Sequence, residues 1–179
     1  MSFLVPTPVR LQGNLMVKME AFQPGGSHKA RPARHMIRRA LAEGYLVPGG
    51  PVRLLEKTGG NLGVGLAFEA LRHQIGVDLV IGLSFSRAKR ALCLKYGARA
   101  IGEDRLREGA SPKEVIAELL AEQPRHFHFT DQFANAANLS AHLEETGPEF
   151  AAQIAEVLRA GQRVILVKGA GTGASFQGI

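Results

Sequence analysis

Apolar and polar positions along this chain switch between two periods. The short runs "VRLLEK" (52–57), "VDLVIGL" (77–83) and "RVILVK" (163–168) carry the near-continuous apolar character of strands covered on both faces. "ARAIG" (98–102) and "HFHFT" (126–130) are shorter strand candidates. Between these runs the apolar residues recur at helical spacing. That spacing predicts helices over 61–74, with Asn61 at the start, over 86–97, and over 111–123. In the last of these Ser111 caps the helix, Pro112 takes its first turn and Glu114 completes a capping box. Thr146-Gly147-Pro148-Glu149 opens a further helix by the same logic, ending at Gly161, and an earlier helix spans 32–43 with Pro32 in its first turn.

Strands alternating with helices predict an α/β fold: a mostly parallel sheet with helices on both faces. Ligands of such sheets gather at the carboxyl ends of the strands. Three loops fall in suitable places. "FQPGGSHKARPARHMIRR" (22–39) leads into a helix, and "EKTGGNLG" (56–63) and "KGAGTGASFQG" (168–178) each follow a strand and open a helix.

Composition narrows the picture. Within 179 residues, 45% are apolar and 21% charged, enough for a core in one domain or two small lobes. No apolar stretch is long enough to span a bilayer, and "MSFLVPTPVR" lacks the features of a signal peptide, so the expectation is a cytoplasmic protein without a membrane role. The single cysteine, Cys93, fits a reducing compartment and lies in an apolar helix pattern, as a buried structural thiol would. The net charge of +6 owes much to Arg31, Arg34, Arg38 and Arg39. Without interleaved aromatics these read as a solvated helix flank with a general liking for small anions, not as a nucleic-acid face. His126 and His128 share one strand face, but no third ligand stands at a sensible spacing, so no metal site is expected. Glu20 and Glu56 form no evident acid/base pair.

The candidate chemistry sits in the three loops. Lys29 follows Pro24-Gly25-Gly26-Ser27 at the mouth of a helix, where a tight turn and the positive end of the helix dipole favour the neutral amine. Neutral lysines attack carbonyls, including the aldehyde of pyridoxal phosphate. Gly169, Gly171 and Gly173 allow backbone N–H groups to approach an anion closely, and Thr172 and Ser175 add hydroxyls, a combination suited to phosphate. Gly169, Gly171 and Ala174 also fit the offsets of a dinucleotide fingerprint, but its acidic ribose partner has no place before Ile179. Thr58-Gly59-Gly60-Asn61 sets successive N–H groups at a helix start, which suits a carboxylate, and Asn61 can also serve as the cap.

Taken together, "PTPVRL", "VKMEAFQPGGSHKARPARHMI", "EKTGGNLGVGLA", "SRAKRALCLKYGARAI", "DQFANAANLSAHLEETGPE" and "KGAGTGASFQGI" occur in the order expected of the cysteine synthase family, the fold-type-II pyridoxal-phosphate enzymes to which cystathionine β-synthase is related. The resemblance covers nearly the whole chain. It implies that Lys29 is the Schiff-base lysine and that Asn61 meets the cofactor ring's hydroxyl. It implies that Gly171, Thr172, Gly173, Ala174 and Ser175 cradle the cofactor phosphate. It places Thr58, Gly59, Gly60 and Leu62, helped by Gln132, at the substrate carboxylate. The implied reaction is β-elimination and β-replacement on an activated serine such as O-acetylserine or O-phosphoserine, giving cysteine or a β-substituted alanine such as 2,3-diaminopropionate, in a homodimer.

Several positions depart from the family pattern. Gly59 and Leu62 replace two hydroxyl residues of the loop, Ala30 replaces the aspartate after the lysine, and Ala174-Ser175 replaces Gly-Thr. Family members also continue beyond this length. The resemblance therefore implies a smaller lobe over 35–145 and a second, incomplete cofactor lobe from 1–34 and 146–179, with apolar surface exposed near the C-terminus. The alternative reading is a truncated, non-catalytic relic or regulatory partner that keeps the fold.

Overall fold

The computed structural model describes residues 8–10 and 13–179. The N-terminal stretch read above for targeting, and most of "PTPVRL", lie outside these residues. A short antiparallel hairpin, β1 (Pro8–Arg10) and β2 (Met16–Lys18), precedes the main body. Then α1 (Ala30–Ala42), β3 (Arg53–Glu56), α2 (Asn61–Arg72), β4 (Val77–Leu79), α3 (Arg87–Lys95) and β5 (Arg99–Ala100) follow in turn. The chain continues through α4 (Glu103–Arg107), α5 (Pro112–Glu122), β6 (Phe127–Phe129), α6 (Ala136–Ala141), a π-helical turn His142–Thr146, α7 (Gly147–Val157) and α8 (Ala174–Gln177).

Four strands form a parallel sheet in the order β5-β4-β3-β6. The expected α/β fold is therefore present, with helices on both faces. Successive residues of a strand point to opposite sides. Leu54 joins a core with Met36 and Ile37 of α1, Leu66 of α2 and Cys93 of α3, while Leu55 joins Val115 and Ile116 of α5. Asp78, fully buried on β4, is gripped bidentately by Arg53 of β3 and Arg99 of β5 at 2.6–2.8 Å, so one carboxylate ties three adjacent strands. Ser111 and Glu114 form the expected capping box.

The sheet's order places the site. After β3 the chain moves to β4 and β5, then returns to add β6 on the other side of β3. The crevice at the carboxyl ends of β3 and β6 lies at this reversal, where α/β sheets bind ligands.

Several expectations need correction. Residues 163–168 pair with no strand among the described residues; Ile165 and Val167 are 87% and 88% exposed. An apolar run is strand-like in propensity, but a strand needs a neighbour to satisfy its backbone. The expected exposed apolar surface near the C-terminus is thus present. Thr146 does not cap a helix: it is already helical, without a side-chain cap bond, and α7 ends at Val157 rather than near Gly161. The helix after Lys29 starts at Ala30, two residues before Pro32. Pro32 is tolerated there because the first N–H groups of a helix have no intrahelical partner.

Arg31 and Arg34 are buried rather than solvated. Arg31 binds both Glu20 oxygens at 2.9 Å and Glu149 at 2.6 and 2.8 Å, while Arg34 and His35 share Glu145. Ion pairs fix these two arginines between α1 and the region around α7; Arg38 and Arg39 are exposed. Among the described residues no helix is long and apolar enough to cross a membrane, and no group of three His, Cys, Asp or Glu could hold a metal.

Candidate active site

Lys29 is set by two glycines that allow close approach. The turn before it closes through Gly26 N–H to the Gln23 carbonyl at 2.8 Å, with Gly25 and Gly26 at φ +85° and +78°. A Cβ on Gly25 would stand 3.4 Å from Gly65 Cα, and one on Gly65 only 3.0 Å from the Lys29 carbonyl. The turn therefore lies directly against α2, and Lys29 caps α1 beside it. Burial pulls the Lys29 amine below its ordinary range, with the Glu56 carboxylate opposing. Among the described residues no carboxylate or carbonyl engages its Nζ. Desolvation is the largest cause.

The second loop starts from Glu56, fully buried at the end of β3. Its carboxylate accepts from Thr130 Oγ1 at 2.6 Å, Gln132 N–H at 3.2 Å and Lys57 N–H at 3.1 Å. One side chain thus locks the loop after β3 to the loop after β6. Gln132, just after β6, is thereby tied to the loop that carries Thr58, Gly59 and Gly60. Thr58 is buried, and its Oγ1 accepts from Gly60 N–H at 3.3 Å.

Two details differ from expectation. Gly60, not Asn61, occupies the N-cap of α2, and Asn61 is the first helical residue. Leu62 is 2% exposed in the hydrophobic core, so its backbone N–H is what it contributes to the helix start. Gly59 has a local reason. A Cβ there would sit 2.3 Å from Ile81 Cγ2 and 3.0 Å from Phe85, so the hydroxyl residue of the family pattern does not fit against this wall.

The third loop is tied in by residues to which the sequence reading gave no role. Asn138, buried on α6, donates from Nδ2 to the Gln132 carbonyl at 2.7 Å and to Thr172 Oγ1 at 3.1 Å. Its Oδ1 is buried without a hydrogen-bond partner among the described residues. Lys168 reaches across the glycines to the Ser175 carbonyl at 3.0 Å. Gly173 takes a left-handed conformation, φ +83°, and opens α8, which is a single turn. Phosphate binding here would rest on loop N–H groups and Lys168 rather than on a long helix's dipole. Gly171 and Gly173 have open space where a Cβ would project, as a cradle requires, while Ala174 is buried.

Around this loop gathers an excess of positive charge. His142, 1% exposed, bonds Thr146 Oγ1 at 2.9 Å and lies 6.4 Å, ring to ring, from His28. Burial, with the nearby Lys168, His28 and Lys29 acting in the same direction, pushes His142 down to about 3. Burial lowers His28 and Lys168 as well, and Lys29 adds to both effects. Basic groups that suppress one another's protonation form a site short of an anion. This donor set fits the phosphate of pyridoxal phosphate: Lys29 would hold the aldehyde carbon, and Gly171 through Ser175 with Lys168 would hold the phosphate. Asn138 carried one signal in the sequence, a polar residue among alanines in a helical stretch. His142 and Lys168 carried none, because their roles depend on the fold.

Cys93 is buried and its thiol is pushed up to about 11 by burial, as expected of a structural cysteine. His128 stacks on Tyr45 with ring centroids 5.1 Å apart.

With the geometry in place, the kinship is clear. The family described as pyridoxal-phosphate dependent enzyme matches residues 3–179, and the chain belongs to it. It is 38% identical over 139 residues to cysteine synthase 3 of Caenorhabditis elegans, covering 78% of this chain and 41% of that protein. It is 30% identical over 174 residues to the cysteine synthase of Aquifex aeolicus (strain VF5), covering 97% and 51%. Its fold matches the solved structure of an O-ureido-L-serine synthase with a TM-score of 0.77 and 34% identity, covering 95% of this chain and 53% of that one. The chain thus spans about half the length of these relatives.

Proposed function

We propose that this chain binds pyridoxal phosphate through Lys29 and belongs to an enzyme that replaces the β-substituent of an activated serine, O-acetylserine or O-phosphoserine. The product is cysteine or a related β-substituted alanine such as 2,3-diaminopropionate. The observation that carries this reading is the half-buried Lys29 amine, lowered by burial and free of any carboxylate bond among the described residues, beside a glycine loop ringed by basic groups. The names of the relatives, cysteine synthases and an O-ureido-L-serine synthase, support the reaction class.

When bound, the cofactor supplies an electron sink for negative charge developing at the substrate Cα. The chain's residues do the rest. Lys29 would take the Cα proton at Nζ. The N–H groups from Thr58 to Leu62 orient the substrate carboxylate, with Gln132 held beside them through Glu56. Asn61, the first residue of α2, would meet the cofactor ring's hydroxyl. Thr58 is buried, and Ile81 and Phe85 pack against Gly59 on one side of the loop.

In this reading residues 35–145 form the smaller lobe, and 1–34 with 146–179 belong to the larger one. The exposed Ile165 and Val167 favour an active unit in which further chain or a partner subunit covers that stretch. A homodimer in the cytoplasm completes the proposal. The test is turnover of O-acetylserine with sulfide by the cofactor-loaded chain. Cysteine formation that Lys29→Ala abolishes supports the enzyme. Cofactor capture without turnover in any assembly supports the second reading, a non-catalytic partner that keeps the fold.

A further inference from the structure

Beyond the three loops lies a cavity of about 350 Å³ at the carboxyl end of β4, within the size range of small-molecule sites. Ile81 and Phe85 wall it on one side, and Arg87, Arg90, Arg107 and Glu103 supply its charge. Glu103 is already shared: Arg90 takes Oε2, and Arg107 takes Oε1 at 2.6 Å. Arg87, the first residue of α3, meets no carboxylate among the described residues. Three guanidiniums face one carboxylate, so this solvent-open groove keeps a surplus of positive charge.

The cavity borders the substrate loop. Ile81 and Phe85 are the two residues that a Cβ on Gly59 would strike, and Phe85 also lies 3.3 Å from where a Cβ on Gly82 would stand. A molecule in the cavity is thus one aromatic ring away from Gly59 and Gly60.

The geometry points to a binding subsite for a small carboxylate- or phosphate-bearing molecule, held by Arg87 and Arg107 and abutting the loop that meets the amino-acid substrate. The adjacency to substrate rests on the function proposed above; the anion site itself does not. Arginine recognises both acids through paired N–H donors, so the shared chemistry is a planar or tetrahedral oxyanion.

The experiment titrates inorganic phosphate, and separately glutarate, into the cofactor-loaded chain at low ionic strength. Arginine Nε–Hε resonances are followed by NMR and heat by calorimetry. Saturable binding near a Kd of about 1 mM is expected, with the Arg87 and Arg107 resonances shifting. Arg87→Gln and Arg107→Gln should each weaken it about tenfold, while Arg125→Gln, an equal charge change at an exposed position elsewhere, should leave it unchanged. Response to phosphate alone assigns a phosphoryl ligand, and to glutarate alone a carboxylate ligand. Absence of saturation, or equal weakening by Arg125→Gln, overturns the inference. The same titration on cofactor-free chain separates the two proposals. A missing Lys29 adduct with intact Arg87 shifts defeats the function reading alone, and the converse defeats the subsite alone.

Discussion

Asn138 and Thr172, 34 positions apart in sequence, meet at 3.1 Å, and the same Asn138 amide holds the Gln132 carbonyl at 2.7 Å. One buried side chain therefore couples the loop beside the substrate-binding segment to the glycine loop. Replacing Asn138 with alanine leaves two acceptors without their donor, which costs about 1–3 kcal/mol of stability where such groups stay buried. Replacing it with aspartate also sets a negative charge beside the proposed phosphate cradle. Asn138→Asp should therefore weaken pyridoxal phosphate binding well beyond Asn138→Ala, measured by cofactor titration in absorbance. Equal affinities for the two variants would contradict the bridging role.

Gly59 is predicted to be irreplaceable for steric reasons. A methyl group there overlaps Ile81 Cγ2 at 2.3 Å, and overpacking of this kind costs about 1–3 kcal/mol. Gly59→Ala should lower the thermal midpoint, and Gly59→Ala combined with Ile81→Ala should recover part of the loss. A Gly59→Ala protein as stable as the parent would show that the wall yields freely.

Stability should fall with acid in two stages. Burial holds His142 down to about 3, against an ordinary 6.5. For Glu145, burial pushes upward, but the bonds from His35 and Arg34 outweigh it and hold the carboxyl at about 2, against 4.5. Both groups bind fewer protons in the folded state than in the unfolded one, so unfolding takes up protons and stability declines as pH drops. The His142 contribution is complete above pH 6.5 and is lost toward 3; that of Glu145 is complete above 4.5 and is lost toward 2. Urea midpoints measured against pH should flatten between 6.5 and 4.5 in His142→Gln and below 4.5 in Glu145→Gln. Unchanged slopes would contradict these assignments.

What the sequence disclosed follows from how local each signal is. The capping box at Ser111 and Glu114 involves only neighbours and was legible. The parallel sheet was legible because its strands are apolar on both faces and alternate with helices. Residues 163–168 show the limit, since a strand-like run forms no ladder without a partner strand. Lys29 stood out from its glycine context, but the cause of its lowered basicity is burial, which no local pattern reveals. The arginines of α1 looked solvated because their carboxylate partners, Glu145 and Glu149, stand more than a hundred residues away. Leu62 reads as a substrate-binding residue at the start of a helix, but helical geometry turns its side chain into the core.

The central claim is that the ε-amino group of Lys29 captures the aldehyde of pyridoxal phosphate. The direct measurement is borohydride reduction of the cofactor-loaded chain, followed by proteolysis and mass mapping. A single pyridoxyl adduct on Lys29, lost in Lys29→Ala, is the expected result. An adduct on Lys168 or another lysine with Lys29 unmodified, or no adduct from a folded protein saturated with cofactor, would contradict it.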